Sequence, residues 1–166
     1  MGRFLVIVLV GCTVLAGAGA YYLQVYAYYD RLPAQDHFAL TPVGALASQD
    51  FAISAFQGID SDSSPIRYRA CFDISVDPAA LTPYLDATPL IAPGWFGCFD
   101  AKTLTEALAD GRATAVLSQS NVLYGIDRVT ALMDGRGYAW HQINACGTAH
   151  FDRKAVPAGC PTPPER

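Results

Sequence analysis

The sequence predicts an α+β protein: an N-terminal transmembrane helix followed by one small antiparallel-sheet domain with two short helices and paired cysteines. Three observations lead there. No charged residue falls between Arg3 and Asp30. Apolar residues alternate along Ile66, Tyr68, Ala70, Phe72, Ile74 and Val76, which is the period of a strand. Outside the apolar start the chain carries Cys71, Cys98, Cys146 and Cys160, an even set that suits an oxidising compartment.

Composition agrees with a membrane segment. Of 166 residues, 52% are hydrophobic and 16% charged, with a mean hydropathy of +0.22. Soluble domains carry about 25% charged residues. The formal charge is −4, with 15 acidic against 11 basic residues. This balance excludes nucleic acid as a partner, because phosphate binding needs a basic patch.

Residues 1–29 are read as a signal-anchor helix. The 19 residues Phe4 to Tyr22 span about 28 Å as a helix, close to the thickness of a bilayer core. Five of nine tyrosines (Tyr21, Tyr22, Tyr26, Tyr28, Tyr29) follow at its far end, where an amphipathic ring settles at the lipid–water boundary. Arg3 favours a cytoplasmic N-terminus and a periplasmic C-terminal domain. Two alternatives compete: cleavage after Ala18-Gly19-Ala20, and a lipoprotein box at Leu9-Val10-Gly11-Cys12. Cleavage would leave an aromatic N-terminus in water, and the lipoprotein box is followed by more apolar sequence rather than a polar tether. The retained anchor accounts for the tyrosines and is preferred. Thr13, Ala16, Gly17 and Ala20 share one helix face, where small residues would admit a second helix.

Residues 30–49, with Pro33 and Pro42, read as a tether, and residues 50–160 as the domain. Phe51, Ile53 and Ala55 alternate. The Ile66–Val76 run would turn Arg67, Arg69, Cys71, Asp73 and Ser75 toward the opposite, polar face, as in a sheet covered on one side. Asp60-x-Asp62-x-Ser64 starts like a calcium loop, but Pro65 and Cys71 occupy the positions that need glycine and glutamate; it reads as a turn. Asp77-Pro78 can start a short helix. Asp100 can cap a helix to Asp110, with Thr103 and Glu106 resembling a capping box and Gly111 ending it. Thr114–Gln119 is a strand candidate, and Asp134-Gly135-Arg136-Gly137 joins two more as a hairpin. About five strands result, with residues 161–166 as a disordered tail.

Three disulfide pairings are possible, and short loops between neighbouring elements favour Cys71–Cys98 and Cys146–Cys160. A mixed metal site from Cys146, His150 and His141 can be drawn, but its spacing fits no zinc pattern. No catalytic motif occurs, and a His141–Asp127 pair would lack a nucleophile. No cofactor is expected. Gly94-Trp95-Phe96-Gly97 could present Trp95 and Phe96 as a rigid binding loop, or fold them down onto the sheet.

The apolar span running into Tyr21-Tyr22-Leu23-Gln24-Val25-Tyr26-Ala27-Tyr28-Tyr29, then Pro65-Ile66-Arg67-Tyr68-Arg69-Ala70-Cys71-Phe72 and the Asp-Gly-Arg-Gly hairpin, resembles an uncharacterised family (domain of unknown function) of small single-span envelope proteins of Gram-negative bacteria. The resemblance implies membrane anchorage and no activity. The expected function is a non-enzymatic accessory or interaction subunit of an inner-membrane complex, with a membrane protein and the lipid bilayer as partners. Alternatives are a periplasmic small-ligand sensor, with a pocket of Trp95, Tyr138, Trp140 and Arg69, and a metallochaperone or enzyme using Cys146, His150 and His141.

Overall fold

The computed structural model describes residues 2–164. Helix α1 (Gly2–Val25) buries none of its residues against the rest of the chain. It is long and apolar enough to cross a membrane, a property that an anchor and a signal peptide share.

The described residues form eight strands: β1 (Asp30–Arg31), β2 (His37–Leu40), β3 (Gln49–Ala52), β4 (Ser54–Asp60), β5 (Arg69–Asp73), β6 (Thr114–Leu123), β7 (Ile126–Met133) and β8 (Arg136–Ile143). Helix α2 (Ala101–Ala109) lies between β5 and β6, and α3 (Ala145–Phe151) follows β8. Six strands form an antiparallel sheet in the order β1-β4-β5-β8-β7-β6, and β2 pairs with β3 separately. The fold is α+β, as the sequence predicts.

The hairpin forms where expected. Asp134 and Gly135 take φ of 51° and 75°, as a two-residue primed turn requires, and Met133 faces Arg136. Asp100 caps α2 by accepting from the Lys102 and Thr103 amides. Because Thr103 is itself capped, Thr103 and Glu106 do not form the expected box. The Asp77-Pro78 turn is a short 3₁₀ helix, Pro78–Ala80, capped by Asp77.

Three expectations are corrected. First, residues 30–49 are not a tether: β1 pairs with β4 at the sheet edge, and β2 places Phe38 and Leu40 fully inside the core. Apolar burial outweighs the flanking prolines, which lie outside the strand. Second, the sheet is covered on both faces. Phe38, Leu40 and Leu81 pack on Ala70, Phe72 and Ala139 on one side. Phe96, Phe99 and Leu104 pack on Cys71, Val129, Tyr138 and Trp140 on the other. The alternation of β5 therefore separates two buried faces, and Arg69 is buried rather than solvated. Third, α3 occupies a stretch with no expected element. The Asn144 side chain caps it through the Gly147 amide. Gly147 also packs on Gly125, where an added Cβ would lie 2.3 Å from the Gly125 carbonyl oxygen. Residues 161–164 carry no helix or strand, and the rest of the expected tail lies outside the described residues.

Gly137 pairs with Phe72 across β5 and β8, and the Phe72 ring lies over it. A Cβ at this position would come within 2.3 Å of that ring. Gly137→Ala is therefore expected to cost about 1–3 kcal/mol through overpacking, read as a lowered midpoint in chemical denaturation.

Candidate functional site at the helix–domain junction

The side chains that join α1 to the domain form the most elaborate surface feature. The segment from Tyr84 to Phe99 crosses the second sheet face and is tied down along its length: Tyr84 bonds to Ala115 and Asp127, and the Gln142 side chain bonds to the Asp86 carbonyl and the Thr88 amide. Cys98 is bonded to Cys71 of β5. The Arg69 guanidinium donates to the Leu90 and Ile91 carbonyls at 2.8 and 3.1 Å, and to those of Ile66 and Tyr68 at 2.8 and 2.6 Å. Burial lowers the pKa of Arg69 to about 10, so it stays charged at neutral pH. Its four bonds all go to backbone carbonyls, and Asp73, on the same strand, pairs with Arg136.

Within this segment the Phe96 amide donates to the Pro93 carbonyl, closing a tight turn. Phe96 enters the core, and Trp95 is left half-buried at the surface. The Trp95 indole Nε1–H donates to the Val25 carbonyl at 2.7 Å. That carbonyl belongs to the last turn of α1, where helix carbonyls lack intrahelical partners. Tyr26 stacks on Trp95 at 6.0 Å and Tyr29 meets its edge at 6.1 Å. The Arg31 guanidinium lies 5.4 Å from the indole centroid, and Arg67 sits 5.5 and 5.4 Å from the Tyr28 and Tyr29 rings. Trp95 and Phe96 therefore divide the work: Phe96 locks the loop, and Trp95 holds the helix end.

The remaining sequence-derived candidates are placed as follows. Thr13 donates to the Leu9 carbonyl within α1 at 2.9 Å, and a Cβ on Gly17 would meet nothing within 4 Å. The face of Thr13, Ala16, Gly17 and Ala20 is exposed along its length. Cys146 is bonded to Cys160, and Cys12 is free and exposed on α1. Trp140 and Tyr138 are buried in the second core cluster with Arg69 beneath the loop, so these residues and Trp95 form solid packing rather than the expected pocket.

The Cys146–His150–His141 metal site does not assemble. Cys146 is in a disulfide, and His150 packs on Tyr124 and Phe151. His141 accepts from Arg128 Nε at its Nε2 and donates from Nδ1 to the Pro65 carbonyl. No His, Cys, Asp or Glu cluster able to hold a metal occurs among the described residues. The His141–Asp127 pair also fails. His141 faces Arg128 across the hairpin whereas Asp127 faces Gln142, so the two side chains lie on opposite sides of the sheet. Asp127 instead accepts from Tyr84, the Asn121 amide and Asn144, and its carboxylate helps push the Tyr84 hydroxyl pKa up after burial.

Burial, and then the Arg128 and Arg69 cations, lower the His141 pKa to about 4 from 6.5, against the pull of its bond to Pro65. In the unfolded chain His141 would take a proton near pH 6.5, but in the folded chain only near pH 4. Its contribution is full above pH 6.5 and is lost as pH falls toward 4, amounting to about 3 kcal/mol. Replacing His141 by glutamine should flatten stability against pH across that window, measured by denaturant titration.

Among the described residues, an exposed apolar helix has its last turn clasped by a disulfide-braced α+β fold. Residues 38–161 match the model of a family of unknown function, DUF6446, and the chain belongs to that family. The match begins in β2, inside the segment expected to be a tether. No curated protein and no solved structure matches the chain.

Proposed function

We propose that this is a single-pass inner-membrane protein of the Gram-negative envelope, with its N-terminus cytoplasmic and its domain periplasmic. In this reading α1 is retained as an anchor, and the protein serves as a non-enzymatic accessory subunit of a larger membrane complex. The observation that carries it is the bond from Trp95 to Val25 beside the open small-residue face of α1. A helix held by its own domain keeps a set rotational position. Its face of Thr13, Ala16, Gly17 and Ala20 is then turned consistently toward a neighbour, and small residues let helix backbones approach closely in lipid. The disulfides support the periplasmic assignment.

A photo-crosslinking side chain at Ala16, compared with one at Leu15 on the opposite face, tests this in intact cells. A discrete adduct to a different membrane protein from Ala16 alone is the expected result. Equal labelling from both faces, lipid adducts only, or an adduct to a second copy of this chain would overturn the accessory reading.

A further inference from the structure

The junction has a neighbour the helix cannot avoid. Helix α1 has 24 residues and is about 36 Å long, against a hydrocarbon core of about 30 Å. If its apolar stretch lies in the core, Val25 emerges at the depth of the lipid headgroups. Trp95 is 2.7 Å from the Val25 carbonyl, so the tip of the domain lies at the same depth. The chain here carries no charge over the 13 residues from Ala87 to Phe99. Its most exposed large apolar side chain is Ile91, at 84%. Ile91 lines the same surface hollow as Arg67, whose guanidinium covers Tyr28 and Tyr29. Arg67 Nη1 is buried without a hydrogen-bond partner. An exposed isoleucine, a tryptophan, interfacial tyrosines and two arginines thus stand around one helix end.

We propose that the domain sits directly on the bilayer surface, with Ile91 inserted at the boundary between headgroups and acyl chains as a second anchor. Arg31 and Arg67 meet lipid phosphates beside it. The inference rests on the spanning-helix reading above. The chemistry matches that boundary: Trp and Tyr settle there with one side apolar and one polar end wet, and arginine pairs with phosphate. Water offers the Ile91 side chain no such environment. The domain would then have no freedom to tumble above the membrane, and its β6 edge, at the other end of the sheet from β1, would be the part presented away from the Ile91 anchor.

Spin-label depth measurement on the full chain, in nanodiscs of mixed phosphatidylcholine and phosphatidylglycerol, tests this. Labels are placed singly at Leu9, Ile91 and Leu46 through a keto amino acid, because thiol labelling would compete with Cys12 and the disulfides. Leu46 is fully exposed next to the β6 edge and serves as the water reference. The expected result is a several-fold higher ratio of oxygen to nickel-complex collisions at Ile91 than at Leu46, with Leu9 higher still. A deep Leu9 with Ile91 equal to Leu46 would overturn the seating and leave the spanning helix intact. A water-exposed Leu9 would overturn both.

Discussion

Arg69→Met is expected to destabilise the domain by about 3–5 kcal/mol, with a fall in melting temperature of roughly 10 °C or more. Methionine fills most of the space the arginine leaves, so lost hydrogen bonding dominates the effect. The guanidinium is buried and serves the carbonyls of Ile66, Tyr68, Leu90 and Ile91. An arginine side chain has five donors in a rigid fork, and no other residue could meet four carbonyls from two separate segments. Without it, those carbonyls must be rehydrated, which requires the loop to lift from the sheet. Because the same loop presents Trp95, the variant should also release the helix end. The indole fluorescence should shift to the red at temperatures where the rest of the domain is still folded. A melting temperature within a degree or two of the parent would show that the loop is held by other contacts.

Removing the Cys71–Cys98 bridge is expected to cost a similar amount. It closes a loop of sequence separation 27, worth about 3.5 kcal/mol in the chain-entropy picture. Cys71 is also fully buried in the second core cluster, so Cys71→Ala with Cys98→Ala loses packing as well. The Cys146–Cys160 bridge spans 14 residues and is worth about 3 kcal/mol on the same basis. It ties α3 to a largely exposed segment, so its loss should loosen the C-terminal end with less effect on the sheet. Thermal melts of the two double variants, each with and without reductant, should rank them in that order. Reductant should have little further effect at the site already removed.

Much of the local structure was legible because its causes are local. A run without charge, an Asp-Gly turn between alternating strands and an aspartate before α2 each act within a few residues. What could not be read depends on distance. Arg69 looked solvent-facing because strand alternation reports that two faces differ, not that either one meets water. The cover arrives from residues 90–99, about twenty positions later. The pairing of β5 with β8 joins Arg69 to Trp140, and nothing in either strand names the other. Strand β2 was hidden because it has only four residues, too few to show a period between two prolines. Helix α3 is short and contains a glycine, and its stability comes from the Gly125 contact and a disulfide rather than from propensity. At the candidate site, the tyrosine cluster after α1 was visible from sequence alone, and Tyr26 and Tyr29 of that cluster pack on Trp95. The partner of Trp95 did not emerge, since Val25 lies 70 residues away.

The intact mass of the native protein, extracted from membranes without reductant, tests the whole account most directly. A retained anchor and two disulfides require the complete chain, lighter than its reduced form by the four hydrogens lost at Cys71–Cys98 and Cys146–Cys160, with Cys12 unmodified. A chain beginning at Tyr21, a lipid on Cys12, or a fully reduced mass would contradict it.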